Sequence, residues 1–145
     1  MAKPQPWKNF PVFVEEQVRW RDLDAYNHVT NSVYFNFFEE ARIALFNKVA
    51  IFRRADKNNP EFGTTLVKTE AEYKSQAFLG DRLMIAAAFT AVRRIFLDTE
   101  YSIFNKKTGI LVAKGMASNV LINRESFKPL RVPTEIAAEI GKFTR

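Results

Sequence analysis

The sequence predicts an α+β fold in which one curved antiparallel sheet wraps a single long helix. Three observations lead there. One segment of helical period sits among segments that alternate with period two, the strands after it are joined by short turns, and several of them exceed ten residues. Short turns favour antiparallel pairing. Strands of that length must twist and coil, so a sheet built from them can enfold one apolar helix.

The first strand is expected over Val12 to Trp20, where Val12, Val14, Glu16, Val18 and Trp20 share one side. Arg21 to Thr30 breaks that pattern with two aspartates, an asparagine and a histidine, and predicts a loop. From Asn31, the expected helix start, Tyr34, Phe37, Phe38, Ala41, Ala44 and Leu45 recur at spacings of three and four. Phe35, Ile43 and Phe46 fall outside the stripe, so the helix is expected to be enclosed, with Glu39, Glu40 and Arg42 on its polar edge. Ile51 to Phe62, with Asp56-Lys57-Asn58-Asn59-Pro60, reads as an exposed connection. Thr65 to Ala77 then alternates cleanly and predicts a strand with one buried face. Gly80-Asp81 supplies a turn, Arg82 to Val92 a strand, Arg93-Arg94 a reversal and Ile95 to Phe104 the next strand. Asn105 to Gly109 reads as a hairpin loop with Gly109 placed for positive φ, Ile110 to Ile122 as the last strand, and Pro133 to Phe143 as a short amphipathic helix.

A chain of 145 residues, 47% hydrophobic, can bury one good core but not two, so one domain over residues 1–145 is expected. Fourteen phenylalanines predict an interior or an oligomer interface rich in rings. The absence of cysteine excludes a disulfide framework, thiolate metal sites and a cysteine nucleophile. Met1 to Phe10 carries two lysines, two prolines and no apolar core, so it reads as neither signal peptide nor anchor. No run of about 18 apolar residues occurs, and a cytoplasmic location away from membranes is expected. A net charge of +6 fits an anionic partner, such as a phosphorylated cofactor or an acidic carrier protein, or simply a lysine-biased surface. The basic residues are dispersed in pairs such as Arg53-Arg54, Arg93-Arg94 and Lys106-Lys107, which argues against a nucleic-acid binder.

The chemistry concentrates between Arg19 and Tyr34, a carboxylate-bearing loop delivered to a helix start. Helix N-termini present unpaired N–H groups and about half a positive charge, which can polarise a carbonyl and stabilise an oxyanion. An aspartate with an unperturbed pKa of about 3.9 is ionised at neutral pH and available as nucleophile or base. Read this way alone, Asp22 and Asp24 are more readily turn and cap residues than catalytic ones. His28 is the sole histidine, which excludes a histidine-based metal cluster, and Ser32 lacks a nucleophile-elbow sequence.

The string Trp20-x-Asp22-Leu23-Asp24-x-x-x-His28-Val29-x-Asn31-x-x-Tyr34, followed by Phe37-x-x-Glu40-Ala41-Arg42, resembles the signature of the 4-hydroxybenzoyl-CoA thioesterase family. It is also similar to that of the acyl-ACP thioesterases. Tyr73-Lys74 leading to Gly80-Asp81, Thr108 to Gly115, and Val120 to Arg131 extend the resemblance over about 120 residues. The chain departs from the pattern at Asn27, where many relatives have Gly, and at Tyr26, where the acyl-ACP branch has Asn.

The resemblance implies the hotdog fold, a site at a dimer interface, and hydrolysis of an acyl-CoA thioester without metal or organic cofactor. It places the catalytic carboxylate on Asp24, a structural one on Asp22, and the oxyanion donor on the backbone N–H at or near Asn31. His28 is expected to order the loop or border the thioester, and Tyr34 to serve the core or the acyl pocket, both as candidates for positioning the substrate, with Arg93, Arg94, Lys128 and Arg131 as candidates for the CoA phosphates. The assembly expected is a homodimer or homotetramer. Acyl-ACP hydrolysis, hydration of an enoyl-thioester on the same fold, and acyl-CoA binding without turnover are the competing readings. The hydratase branch pairs its aspartate with a histidine five positions on, whereas Asp24 and His28 are four apart.

Overall fold

The computed structural model describes residues 3–49 and 62–145. Within them five strands form one antiparallel sheet: β1 (Val12–Gln17), β2 (Phe62–Tyr73), β3 (Arg82–Arg93), β4 (Phe96–Asn105) and β5 (Leu111–Asn123), in the order β1-β3-β4-β5-β2. The long helix α1 (Val33–Phe46) precedes β2, and a short helix α2 (Thr134–Gly141) follows β5. This is the α+β hotdog arrangement that the resemblance implies.

The sheet curves because three ladders slip by a residue: between β2 and β5 at Leu66/Lys68, between β3 and β4 at Phe89/Ala91, and between β4 and β5 at Ile103/Phe104. Its concave face carries Leu83, Ile85, Ala87 and Phe89 of β3 with Leu97, Tyr101 and Ile103 of β4, all packed in one core with α1. The helix presses Phe38 flat on Tyr101, with ring centroids 5.1 Å apart, and Phe46 on Phe89 at 5.4 Å. Gly115 makes that close approach possible, since a Cβ there would overlap the Phe38 ring. The convex face is covered in part by the N-terminal segment, whose 3-10 turn Pro6–Asn9 sets Trp7 beside Phe10, Met84 and Phe104 in a second cluster. Beyond the end of β1, the chain terminus takes its place along β3, with Phe89 N–H donating to Phe143 and Arg145 N–H to Phe89.

Several expectations are corrected. The first strand ends at Gln17, because Trp20–Asp22 winds into a 3-10 turn that leaves Trp20 80% exposed. The helix begins at Val33, two residues after Asn31. It is enclosed on its sheet side only: Tyr34, Phe37, Phe38, Ala41, Leu45 and Phe46 are buried, whereas Ile43 is 51% exposed. Five strands in one layer cover one side of a helix, and among the described residues its outer face stays open. β2 has no well-buried face despite its alternation, and leaves Leu66, Val67 and Tyr73 exposed. Among the described residues it is an edge strand joined only to β5, and its bulge breaks the in-out alternation midway. The expected connection around Asp56 to Pro60, with the Arg53-Arg54 pair, lies outside the described residues. The turns behave as expected, with Gly80 at φ 84°, Arg94 at 53° and Gly109 at 75°.

Candidate active site

Asp24 sits at the mouth of a tight loop closed by pairing of Leu23 with Val29. Its N–H donates to the His28 carbonyl at 2.8 Å, and its carbonyl accepts from Asn27 N–H at 3.1 Å. The loop closes because Asn27 adopts φ 65°, a left-handed conformation that asparagine tolerates and glycine would favour. One carboxylate oxygen of Asp24, Oδ1, accepts from the backbone N–H of Tyr26 at 2.8 Å and of His28 at 3.2 Å. No bond to Oδ2 forms among the described residues, and the side chain is exposed. The turn thus fixes one oxygen and leaves the other available. Asp22 is engaged differently: its Oδ2 accepts from Arg19 N–H at 2.9 Å, and its carbonyl accepts from Thr30 N–H, which ties the two sides of the loop together.

The loop is anchored below by Val29 N–H donating to Ala77, and His28 packs edge-on against Phe78 at 5.3 Å. Phe78 belongs to the Gly80-Asp81 turn, where Asp81 accepts from Phe78 N–H at 3.0 Å. At the helix entry the N–H groups of Asn31 and Ser32 donate to no backbone carbonyl among the described residues, while Val33 N–H reaches back to Thr30. A tie that the sequence did not indicate holds this entry in place: the Tyr73 hydroxyl, at the end of β2, donates to the Asn31 carbonyl at 3.0 Å. Tyr34 is 3% exposed, with its ring 5.2 Å from that of Tyr73. Burial, and to a lesser extent the neighbouring Tyr73, pushes the Tyr34 hydroxyl up to about 12, so it stays protonated as a donor.

The loop thus holds Asp24 and His28 on one turn, and Tyr73 ties Asn31 and Tyr34 together at the helix entry that follows it. The four basic candidates do not join them. Arg93 and Arg94 form the turn at the far end of β3, roughly 36 Å from Arg82 at about 3.3 Å per residue. Arg131 lies beside them, since the next residue, Val132, donates to the Arg94 carbonyl. Lys128 is near too, its carbonyl accepting from Asn123 at the end of β5. Arg93 is already paired with Asp98 through two hydrogen bonds and lies over the Phe96 ring. Glu39 and Glu40 form a solvated edge, whereas Arg42 turns inward to donate to the Tyr101 hydroxyl at 3.4 Å. Among the described residues no three His, Asp or Glu side chains gather as metal ligands would, and no helix is long and apolar enough to cross a membrane.

The family profile described as the thioesterase-like superfamily matches residues 18–140. Among solved structures, a Thermus thermophilus thioesterase complexed with coenzyme A and Zn superposes with a TM-score of 0.75 at 29% identity, covering 90% of this chain and 98% of that one. Among curated proteins, the chloroplastic acyl-acyl carrier protein thioesterase ATL3 of Arabidopsis thaliana is 26% identical over 134 residues, 91% of this chain and 68% of that protein. The uncharacterized Bacillus subtilis protein YsmA is 29% identical over 98 residues, 67% of this chain and 64% of its own length.

Proposed function

The chain belongs to the thioesterase-like superfamily, and from that premise we propose that it hydrolyses an acyl-CoA thioester with Asp24 as the reacting carboxylate. Water is added across the thioester carbonyl, the C–S bond breaks, and the products are a free carboxylate and the CoA thiol. Asp24 acts either by attacking the carbonyl itself or by taking the proton of the attacking water. The backbone N–H at Asn31 receives the oxyanion, and His28 and Tyr34 position the thioester. No metal or organic cofactor takes part. The observation that carries this reading is the asymmetry of Asp24: two N–H groups hold Oδ1 while Oδ2 is left to react.

Two protomers complete the site in this reading. β2 is a twelve-residue edge bearing exposed Leu66, Val67 and Tyr73, the kind of edge that needs covering. A two-fold axis across it sets the two β2 strands antiparallel. The Tyr73 end of one protomer then meets the Phe62 end of its partner, where that partner's Arg93–Arg94 turn, Lys128 and Arg131 gather. Those basic residues would hold the CoA phosphates, with Arg94, Lys128 and Arg131 free of ion pairs among the described residues. A homodimer, or a homotetramer built from it, in the cytoplasm is the expected assembly.

An acyl carrier protein as donor is the second reading, supported by the match to the Arabidopsis acyl-ACP thioesterase over 91% of this chain and by the net charge of +6. A free-thiol release assay with acyl-CoAs of graded length and their acyl-ACP counterparts separates the alternatives. Thiol released from CoA substrates supports the proposal, and release from carrier protein alone moves it to the second reading. Loss of enoyl absorbance or saturable binding without turnover would replace it by hydration or by a binding role.

A further inference from the structure

The turn after β5, residues 123–128, holds a phenylalanine in a conformation that strains it. Phe127 has φ 58°, in the left-handed region that bulky side chains avoid, and it is 72% exposed. The turn is tied on several sides. Asn123 Oδ1 accepts from the backbone N–H groups of Glu125 and Ser126 at 2.9 and 3.1 Å. The Asn123 carbonyl accepts from Phe127 N–H at 2.8 Å, and Asn123 N–H donates to the Lys128 carbonyl at 2.9 Å. Glycine would take this φ without strain, and a polar side chain would suit the exposure, so neither packing nor turn chemistry calls for a ring here. Strain that the surroundings over-determine is characteristic of ligand sites. The ring stands among cations. Arg124 and Lys128 flank it on the same turn, and Arg94 and Arg131 belong to the same end of the sheet through Val132 N–H on the Arg94 carbonyl. Arg124 lies across Gly63 of β2, where a Cβ would come within 3.1 Å of its Cγ, so the glycine makes room for it. None of Arg94, Arg124, Lys128 and Arg131 forms an ion pair among the described residues.

We propose that Phe127 is a stacking platform for a purine base, that of the nucleotide end of an acyl-CoA, and that Arg124 joins the cations that hold its phosphates. An open aromatic face stacks on a base, and unpaired guanidinium groups beside it pair with phosphate. Both together recognise a nucleotide. A bare anion or an acidic protein surface would use the cations alone and leave the strained presentation of the ring without a purpose. The inference rests on the thioester reading and deepens it, because a carrier-protein thioester carries no nucleotide: the platform makes the CoA ester, and not the carrier-protein ester, the donor that this end of the sheet is built for.

The test compares wild type, Phe127→Gly and Phe127→Trp on the acyl-CoA that the wild type turns over fastest and on the acyl-pantetheine thioester of the same acyl group, which lacks the nucleotide. In Phe127→Gly the KM for acyl-CoA is expected to rise about 5-fold or more, while that for acyl-pantetheine moves by less than about twofold. The thermal midpoint of this variant should stay level or rise, since glycine relieves the left-handed strain. Phe127→Trp keeps a stacking face and is expected to hold the KM for acyl-CoA within about twofold of wild type. Equal rises for the two thioesters, no rise for either, or a rise that tracks a weaker dimer in sedimentation overturns the assignment. A second arm titrates wild type and Phe127→Gly with adenosine 3′,5′-bisphosphate by calorimetry, and uses it as an inhibitor of the wild type. Saturable binding that is about 5-fold or more weaker in the variant, with inhibition that acyl-CoA relieves, supports the platform. Inhibition that acyl-CoA does not relieve would assign it to a free nucleotide and overturn CoA as its ligand. Should the wild type hydrolyse no thioester, the hydrolytic reading fails and the titration alone decides the platform: no binding of the bisphosphate, or equal affinity in the two proteins, overturns it.

Discussion

Asp22 and Asp24 are alike in sequence and differ in what their carboxylates hold. Asp22 caps the 3-10 turn through Arg19 N–H, so Asp22→Ala removes an acceptor from the base of the loop. It is expected to cost roughly 0.5–2 kcal/mol, the usual range for a lost cap, seen as a lower thermal midpoint, with any fall in turnover following loop order. A full loss of turnover at unchanged stability would mean that Asp22 is the reacting group. Asp98 offers a test of pH linkage. Its hydrogen bonds from Arg93, and secondarily from Ser118, hold its carboxyl below the ordinary carboxylate range. A folded-state pKa below the unfolded value of about 3.9 gives stability that is fully present above that value and is lost as pH falls through the folded one. The stability advantage of wild type over Asp98→Asn should therefore shrink between pH 6 and pH 3 in denaturant melts; a pH-independent difference would exclude the ion pair as its source. Turn residues made the Asp24 loop legible in the sequence, because Asp, Asn and His act there through neighbours a few positions away. Phe127 was not legible: its positive φ is set by the Asn123 side chain and carbonyl around it and not by a glycine at its own position.

At the scale of elements, the alternating and helical periods located every strand and both helices among the described residues, with ends misplaced by up to four residues. Trp20 carried the period of β1 beyond its end because a 3-10 turn supplies no periodic signal of its own. In β2 the alternation was present but burial did not follow, since burial depends on what lies beside an edge and not on the strand itself. Gly115 shows the same limit. Its requirement comes from the Phe38 ring, distant in sequence, and nothing local marks it. Gly115→Ala should force the ring or the strand to shift and destabilise the fold by about 1–3 kcal/mol, measured as a lower denaturant midpoint at unchanged slope. An unchanged midpoint would mean that α1 is free to ride away from the sheet at that contact.

On the scale of the whole molecule, one sheet covers one side of one helix, and the chain leaves Ile43, Leu66, Val67 and Tyr73 on the side that remains. An outer helix face and an apolar edge strand that need covering together are the physical ground for a second copy. Specific activity should therefore fall on dilution through the dimer dissociation range, with sedimentation or mass photometry reporting the same midpoint. Full activity in a demonstrated monomer would confine the site to one chain and detach the basic residues at the far sheet end from it. That Arg93, Arg94, Lys128 and Arg131 lie at the opposite end of the sheet from the Asp24 loop was not legible, because a linear pattern does not show which ends of the strands come together. The most direct test of Asp24 as the reacting carboxylate is the kcat of Asp24→Asn on the acyl-CoA that the wild type turns over fastest, in protein whose circular dichroism and thermal midpoint match the wild type. A fall of at least about 10²-fold is predicted; turnover within a few-fold of wild type would contradict it.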